Sequence, residues 1–428
     1  MRKKLIEVAL PLEAINVASV HEKFIRQGHP STLHLWWARR PLAACRAVIF
    51  TSLVDDPDDP NAPPEFVAAC GRLPARKNAL VEDTPRQRLF DFIETLVQWE
   101  STTDEDVLET ARELILLSTD GNPPPLLDPF AGGGSIPLEA QRLGLEAHAS
   151  DLNPIAVMIN KAQIEIPPRF ANMPPVNPRD REKIGGHTGW KGAQGLAADV
   201  RYYGEWMRER AWERIGHLYP KGPNGETVIA WLWARTVKCP NPACGTQMPL
   251  VRSFDLSKKK GRKAWVVPLV DPRTRQISFE VFTGNGMGPD GTINRRGATC
   301  LACDSPVPFD YIREEGKAGR MSAQLMAIVT EGDRQRNYYV PSPEHEQIAR
   351  VAIPADAPDT DLPEQALGFR VQLYGMKKHR DLFMPRQLVA LTTFSDLVGE
   401  TRQQAHADAV AARLPNDDMP MQDGGSGA

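Results

Sequence analysis

Asp128-Pro-Phe-Ala-Gly-Gly-Gly-Ser135 follows Leu126-Leu127 and precedes Ile136-Pro-Leu-Glu-Ala-Gln-Arg-Leu143. The two leucines predict a short buried strand running into Asp128. The glycines predict a sharp turn, and Ile136 to Leu143 a helix closed by Gly144. Glu146–Ser150 predicts a second strand ending at Asp151, and Asn153-Pro154 opens a further helix through Ala162. This is a β-loop-α-β unit of nucleotide-binding type, so the expected fold class is α/β with a Rossmann-like core. Glycine permits positive φ and lets a ligand approach the main chain, and the following helix presents unpaired N–H groups. Asp151 lies 23 residues after Asp128, where a carboxylate can accept hydrogen bonds from both hydroxyls of a ribose. The Gly-x-Gly-x-x-Gly spacing of a dinucleotide site is absent. An ordinary strand-turn-helix with a capping aspartate, and a dinucleotide site of unusual spacing, stand as alternatives.

Upstream of the loop the chain reads as helical. Leu12, Ile15, Val20 and Phe24 recur at helical spacing, and Gly28 ends that run. Pro41 is placed as a first-turn proline of a second helix burying Leu42, Cys45, Val48 and Ile49. Between them, His34, Trp36, Trp37, Arg39 and Arg40 set indole rings beside fixed cations. This segment is read either as lining the adenine or carboxylate end of a cofactor, or as touching DNA phosphates through its arginines. Packed tryptophans and ion-paired arginines are the plainer reading. Asp55–Pro64 reads as a loop, and helices are expected at about 86–99, 104–117, 194–218 and 385–413. The last of these carries Leu388, Leu391, Phe394 and Leu397 on its apolar side. A polar tail runs from Asn416 to Ala428.

The net charge is −3, so attraction to nucleic acid must be local. No run approaches the roughly 18 apolar residues of a membrane helix, and the basic N-terminus lacks the apolar stretch of a signal peptide. A cytoplasmic protein with no membrane partner is expected. Six cysteines in 428 residues do not make a secreted disulfide framework. Cys45 and Cys70 read as inert thiols. Cys239 with Cys244 and Cys300 with Cys303 form two close pairs at turns, the pattern of a structural zinc ribbon with a long insertion. Two unrelated reduced pairs are the alternative. Between Arg235 and Cys300 there are twelve Lys or Arg against four Asp or Glu, densest at Lys258, Lys259, Lys260, Arg262 and Lys263. This is a candidate DNA-backbone patch, or a solvated loop.

The loop with Ile136-Pro-Leu-Glu-Ala140, and Ala149-Ser-Asp-Leu-Asn-Pro-Ile-Ala156, resemble the first two motifs of amino-group DNA methyltransferases. Glu22-Lys-Phe-Ile-Arg-Gln-Gly-His-Pro-Ser-Thr-Leu-His-Leu-Trp-Trp-Ala-Arg-Arg-Pro-Leu42 and Asp381–Val398 are similar to a family of large adenine-specific DNA methylases. Those proteins begin with a domain of unknown function and often occur in phage-defence clusters. The resemblance implies S-adenosylmethionine held by Asp128, Pro129, Phe130, Ala131, Gly132, Gly133, Gly134, Ser135, Asp151 and Asn153. It implies DNA as partner, and other phage-defence proteins as further partners. Since this cofactor has no pyrophosphate, the loop glycines are expected to clear space for its methionine and ribose.

Such enzymes receive the base on an Asp/Asn/Ser-Pro-Pro-aromatic motif, whose polar groups accept from the amine while the ring stacks on the flipped base. Here Pro-Pro follows Ala62, Ile166 and Met173, and Asn122-Pro-Pro-Pro125 lacks the aromatic. No catalytic residue is assigned. The chain is expected to be an N-terminal fragment or split-gene product, inactive alone and completed by a second polypeptide carrying the motif. The segments expected are a helical domain over 1–120, an incomplete cofactor-binding unit over 121–195, a helix plus zinc ribbon over 196–320, and a mixed segment over 321–428. An RNA guanine-amine methyltransferase and a zinc-dependent nucleic-acid-binding or regulatory subunit are the rival readings.

Overall fold

The computed structural model describes residues 2–74, 83–183, 189–333, 335–364 and 370–417, with Met419, Asp423 and Gly425. Most of the polar tail therefore lies outside the described residues. The protein is mixed α/β. It divides into two units: Met1–Pro175 with Asp180–Ala198, and Val176–Arg179 with Asp199–Ala428.

In the first unit, helices α1 (Leu12–His21), α2 (Leu42–Leu53), α3 (Pro64–Arg72), α4 (Pro85–Leu96) and α5 (Glu105–Ser118) precede β1 (Leu126–Asp128). Then come α6 (Ser135–Arg142), β2 (Ala147–Ala149), α7 (Pro154–Asn160), a π-helical segment Lys161–Glu165 and α8 (Ile166–Arg169). Capping explains several of the starts. Thr84 accepts from the Gln87 amide at 3.2 Å, and Pro85 occupies the first turn where its missing N–H costs nothing. Asp104 accepts from Val107 and Asn153 from Ile155. The core joins Phe50, Phe66, Leu89, Ile93, Leu96, Leu114, Ile115 and Leu143, with Leu126 and Ala147 packed against it. β1 and β2 run parallel, from Leu126↔Ala147 to Asp128↔Ala149. Strand side chains alternate faces. Leu126 packs on the helices while Leu127, its neighbour, is 67% exposed.

A buried ion pair ties the helical layer to the turn helix. Arg46 of α2 donates through Nε to Glu139 of α6 at 2.6 Å and through Nη1 to the Leu96 carbonyl at 2.6 Å. Arg142 also pairs with Glu139. The acidic loop after α2 is not a solvated one: Asp55 is fully buried on Lys4 at 2.7 Å, and Asp56 on Arg86 at 2.5 Å.

Three expectations need correction. α1 buries Ile15 and Ala18 and leaves Leu12 and Val20 exposed, and Phe24, also exposed, stands beyond it in the 3-10 turn Glu22–Phe24. Val48 of α2 is also exposed. α3 begins at Pro64, where the proline pair was read as part of a loop. A first-turn proline starts a helix as readily as it ends one.

The second unit follows α9 (Pro178–Lys183) and α10 (Gln194–Ile215) with β3 (Val228–Lys238), β4 (Gln247–Leu250), β5 (Asp255–Ser257), β6 (Lys263–Val270), β7 (Ile277–Gly284), β8 (Gly297–Thr299) and β9 (Pro306–Pro308). Then come α11 (Phe309–Lys317), β10 (Ser322–Gly332), β11 (Gln335–Tyr339), α12 (Pro343–Ile348) and α13 (Pro385–Ala411). One antiparallel sheet has the order β11-β10-β3-β4, a second the order β5-β6-β7, and β8 pairs with β9. β4 covers β3 only over Arg235–Lys238. β10 supplies the partner for the longer stretch, from Val228↔Thr330 to Thr236↔Ser322. The ribbon is thus continuous with the strand at 322–332, across the expected division at 320. The β5–β7 sheet shares its core with β10 through Val266, Phe279, Met326 and Ala327. On α13, Leu388 and Leu397 are buried but Leu391 and Phe394 are exposed, so half of the expected apolar side meets no core. Among the described residues no helix is long and apolar enough to cross a membrane.

Candidate functional site

The glycine loop is locally determined. Asp128 closes it from the strand by accepting from the Phe130 amide at 3.1 Å, and Ala131 N–H donates to the Ser150 carbonyl at 3.0 Å. Gly132 has φ +50° and Gly134 φ +76°, the left-handed region that side chains other than glycine avoid. Asp151 holds both sides of the turn. One oxygen accepts from Gly132 at 2.8 Å and the other from Asn153 at 2.8 Å. These amides, Asn153 first and then Gly132, hold its carboxyl below the usual range, so it is an ionised acceptor with lone pairs left over.

Trp36, Arg39 and Arg40 stand opposite the loop. Together with Asp128, Gly132, Ser135 and Asp151 they line a cavity of about 390 Å³, within the range of small-ligand sites. Trp37 and Phe130 also border it, and both are more than four-fifths exposed. Trp37 stacks on Trp36 with centroids 4.6 Å apart. The space above Gly132 and Gly133 is taken by the Trp36 indole: a Cβ at 132 would lie 2.7 Å from its Nε1. This corrects the expectation that these glycines clear room directly for a ligand. They clear it for a ring that forms one wall of the cavity.

Three polar atoms around the loop are buried without a hydrogen-bond partner: Ser135 Oγ, Asn160 Oδ1 and Arg39 Nη1. Buried polar groups are normally paired; Ser135 and Arg39 belong to the cavity lining, whereas Asn160 packs under Gly134 outside it. Arg39 also donates to His34 Nε2 at 2.5 Å, and His34 Nδ1 faces the Gln163 side-chain amide at 3.0 Å. Burial, then the neighbouring Arg39, lowers the His34 pKa and keeps its ring neutral.

Glu22 positions this segment, and sequence reading missed it. It accepts from the Leu42 and Ala43 amides at 2.9 and 2.6 Å. A side chain twenty residues upstream thereby caps α2 and closes the loop that carries Trp36 and Arg39. Nothing in the local spacing signals a cap from that distance.

A cavity of about 670 Å³ between α2 and the start of β1 is apolar and includes Cys45. Burial pushes the Cys45 and Cys70 thiols up to about 12, so both are inert.

The four remaining cysteines come together. Each pair sits at the tip of a hairpin: Cys239 and Cys244 between β3 and β4, Cys300 and Cys303 between β8 and β9. Their sulfurs all lie within 4.8 Å of one another. Cys239–Cys303 is 3.7 Å and Cys244–Cys300 is 3.8 Å. Disulfides would be at about 2.05 Å. Four thiolates at about 2.3 Å from a tetrahedral centre stand about 3.8 Å apart. The two tips are built alike. Gly245 and Asp304 take positive φ, and Thr246 and Ser305 hydroxyls lie 3.3 and 3.2 Å from Cys244 and Cys303. Burial opposes it, but the Thr246 hydroxyl and amide bring the Cys244 thiol down to about 6. Ser305 lowers Cys303, and burial raises Cys239 and Cys300. The insertion between the hairpins is pinned at its base, where Thr292 Oγ1 accepts from the Val251 amide at 2.8 Å.

Of the basic cluster, Lys259 and Arg262 line a cleft with Arg336 and Tyr338. Lys258 instead turns to Asp255 at 3.3 Å. Lys260 and Lys263 do not border the cleft.

A family described as a protein of unknown function (DUF1156) matches residues 9–72. That stretch spans α1 to α3 and contains the Trp36–Arg40 segment. No curated protein matches the chain, and no solved structure does.

Proposed function

We propose that this chain is the cofactor-binding part of an S-adenosylmethionine-dependent DNA methyltransferase acting on the exocyclic amine of adenine. The observation that carries the reading is the cavity at the glycine loop, lined by Asp151, Ser135 and Arg39, of which Asp151 is ionised and the other two each hold a polar atom that makes no hydrogen bond. Asp151 suits the ribose hydroxyls. Arg39 and Ser135 suit a carboxylate. The bound cofactor would supply an activated methyl group. The chain's own residues bind and orient it, and Trp36 keeps water from one side. The α/β unit is read as a Rossmann-like core in which β1 and β2 are the first strands. Parallel strands normally have both faces covered, so the exposed Leu127 marks a face open to a covering element; the Pro-Pro-aromatic motif is expected on a second polypeptide. The cysteine cluster is read as a structural zinc site. The similarity of residues 9–72 to a family of unknown function is compatible with the sequence resemblance and adds no activity to it.

Equilibrium dialysis with labelled S-adenosylmethionine tests the reading. Uptake near one per chain, competed by S-adenosylhomocysteine and not by NAD, is expected. Methyl transfer to DNA is expected only once the second polypeptide is added. Competition by NAD alone would replace the reading with a dinucleotide site. The four-cysteine cluster and the basic surplus favour one second reading, a zinc-dependent DNA-binding subunit, which predicts DNA binding without uptake of the labelled cofactor.

A further inference from the structure

We propose that the cleft between the β5–β6 turn and the β10–β11 hairpin grips the phosphodiester backbone of duplex DNA. The inference rests on the functional reading above only for the choice of DNA as the polymer. The sequence shows one wall, the lysine-rich turn. The structure supplies the other, since Arg336 and Tyr338 of β11 face Lys259 and Arg262 across a cleft of about 560 Å³. Both walls belong to sheets that share one core through Phe254, Val266, Met326 and Ala327, so their separation is fixed by packing. Lys259 and Arg336 are exposed. Neither makes an ion pair among the described residues, whereas Lys258 is held by Asp255. Among the described residues that line the cleft, Glu331 is the one acid, and it stands directly opposite Arg336 in the strand register. Lys259, Arg262 and Arg336 against Glu331 leave the formal charge of this lining positive.

The arrangement suits a polyanion better than a small one. Exposed cations in water gain little from a single mobile anion, because solvent and salt screen the pair. A duplex carries condensed counterions and releases them at every phosphate a cation neutralises. An open cleft with cations on two rigid hairpins fits successive phosphates. Such contacts set position along the duplex and carry no base sequence. In a chain of net charge −3 this local surplus gives the approach a direction.

Fluorescence anisotropy with a labelled duplex of about two helical turns tests the cleft on the full zinc-loaded chain. The wild type is expected to bind with log Kd linear in log salt. The Lys259→Gln/Arg336→Gln variant should bind at least about tenfold more weakly at low salt, with the slope reduced by about two. Its zinc content and urea midpoint should match the wild type. Lys317→Gln/Arg402→Gln removes the same charge away from the cleft and should leave affinity and slope unchanged. Equal losses in both variants, or no loss in the first, overturn the proposal, as does a wild type that binds no duplex. A chain that binds through the cleft yet takes up no S-adenosylhomocysteine upholds the cleft and removes the methyltransferase reading.

Discussion

Asp151 joins the end of β2, the glycine loop and the start of α7 through two backbone amides. Its folded-state pKa is depressed by those amides. Its contribution is therefore present above the ordinary carboxylate range and lost only as pH falls through the depressed value. S-adenosylhomocysteine affinity in the wild type is expected to hold down to about pH 4. Asp151→Asn should weaken it about tenfold at pH 7, as read by calorimetric titration at several pH values. Gly132 makes a second residue-scale prediction. Its φ of +50° and the Trp36 ring 2.7 Å from a would-be Cβ leave no place for a side chain. Gly132→Ala should lose about 1–3 kcal/mol in urea unfolding. Gly71 in α3 has nothing within 4 Å of a would-be Cβ, so Gly71→Ala should be neutral or slightly stabilising. The turn was legible because glycines, strand end and carboxylate lie within one short stretch. The cap that Glu22 places on α2, and the seat of the Trp36 ring over Gly132, were not, because each acts on residues far along the chain and spacing carries no record of such contacts.

At the scale of elements, the helices expected at about 86–99 and 104–117 stand as α4 and α5, and Asn153-Pro154 opens α7 as the sequence reads. Apolar periodicity was a poorer guide to which face is buried. α1 and α13 both leave expected core residues in solvent, since a stripe records where apolar side chains lie and not whether a partner covers them. The buried Arg46–Glu139 pair lies outside hydrophobic patterning altogether, yet it joins α2 to α6 and so holds the N-terminal helices to the helix of the glycine loop. Removing one member of such a pair strands the other charge. Arg46→Met should cost about 3–5 kcal/mol, while Arg46→Met/Glu139→Leu should recover most of it. Urea unfolding of the single and double variants checks this. A mild single variant would mean that Glu139 is satisfied by Arg142 alone.

The whole molecule combines two units with different means of support. The first has a helical core of leucine, isoleucine and phenylalanine. The second brings four cysteines from two hairpin tips into one cluster that could hold a metal ion. The cysteine spacing made that cluster legible, but the pairing of β10 with β3 was not, because strands this far apart in sequence leave no local signal. About one zinc per chain is expected by metal analysis, lost in Cys300→Ser. Chelation should loosen the β3–β4 and β8–β9 hairpins, seen as faster amide exchange there, while the first unit keeps its protection. The central claim, that the loop at Asp128–Ser135 holds the methyl donor, is tested most directly by calorimetric titration of S-adenosylhomocysteine into the folded, zinc-loaded chain. The account predicts saturable binding at one site per chain, weakened in Asp151→Asn. A wild-type chain that is folded and zinc-loaded but gives no binding at millimolar ligand would contradict it.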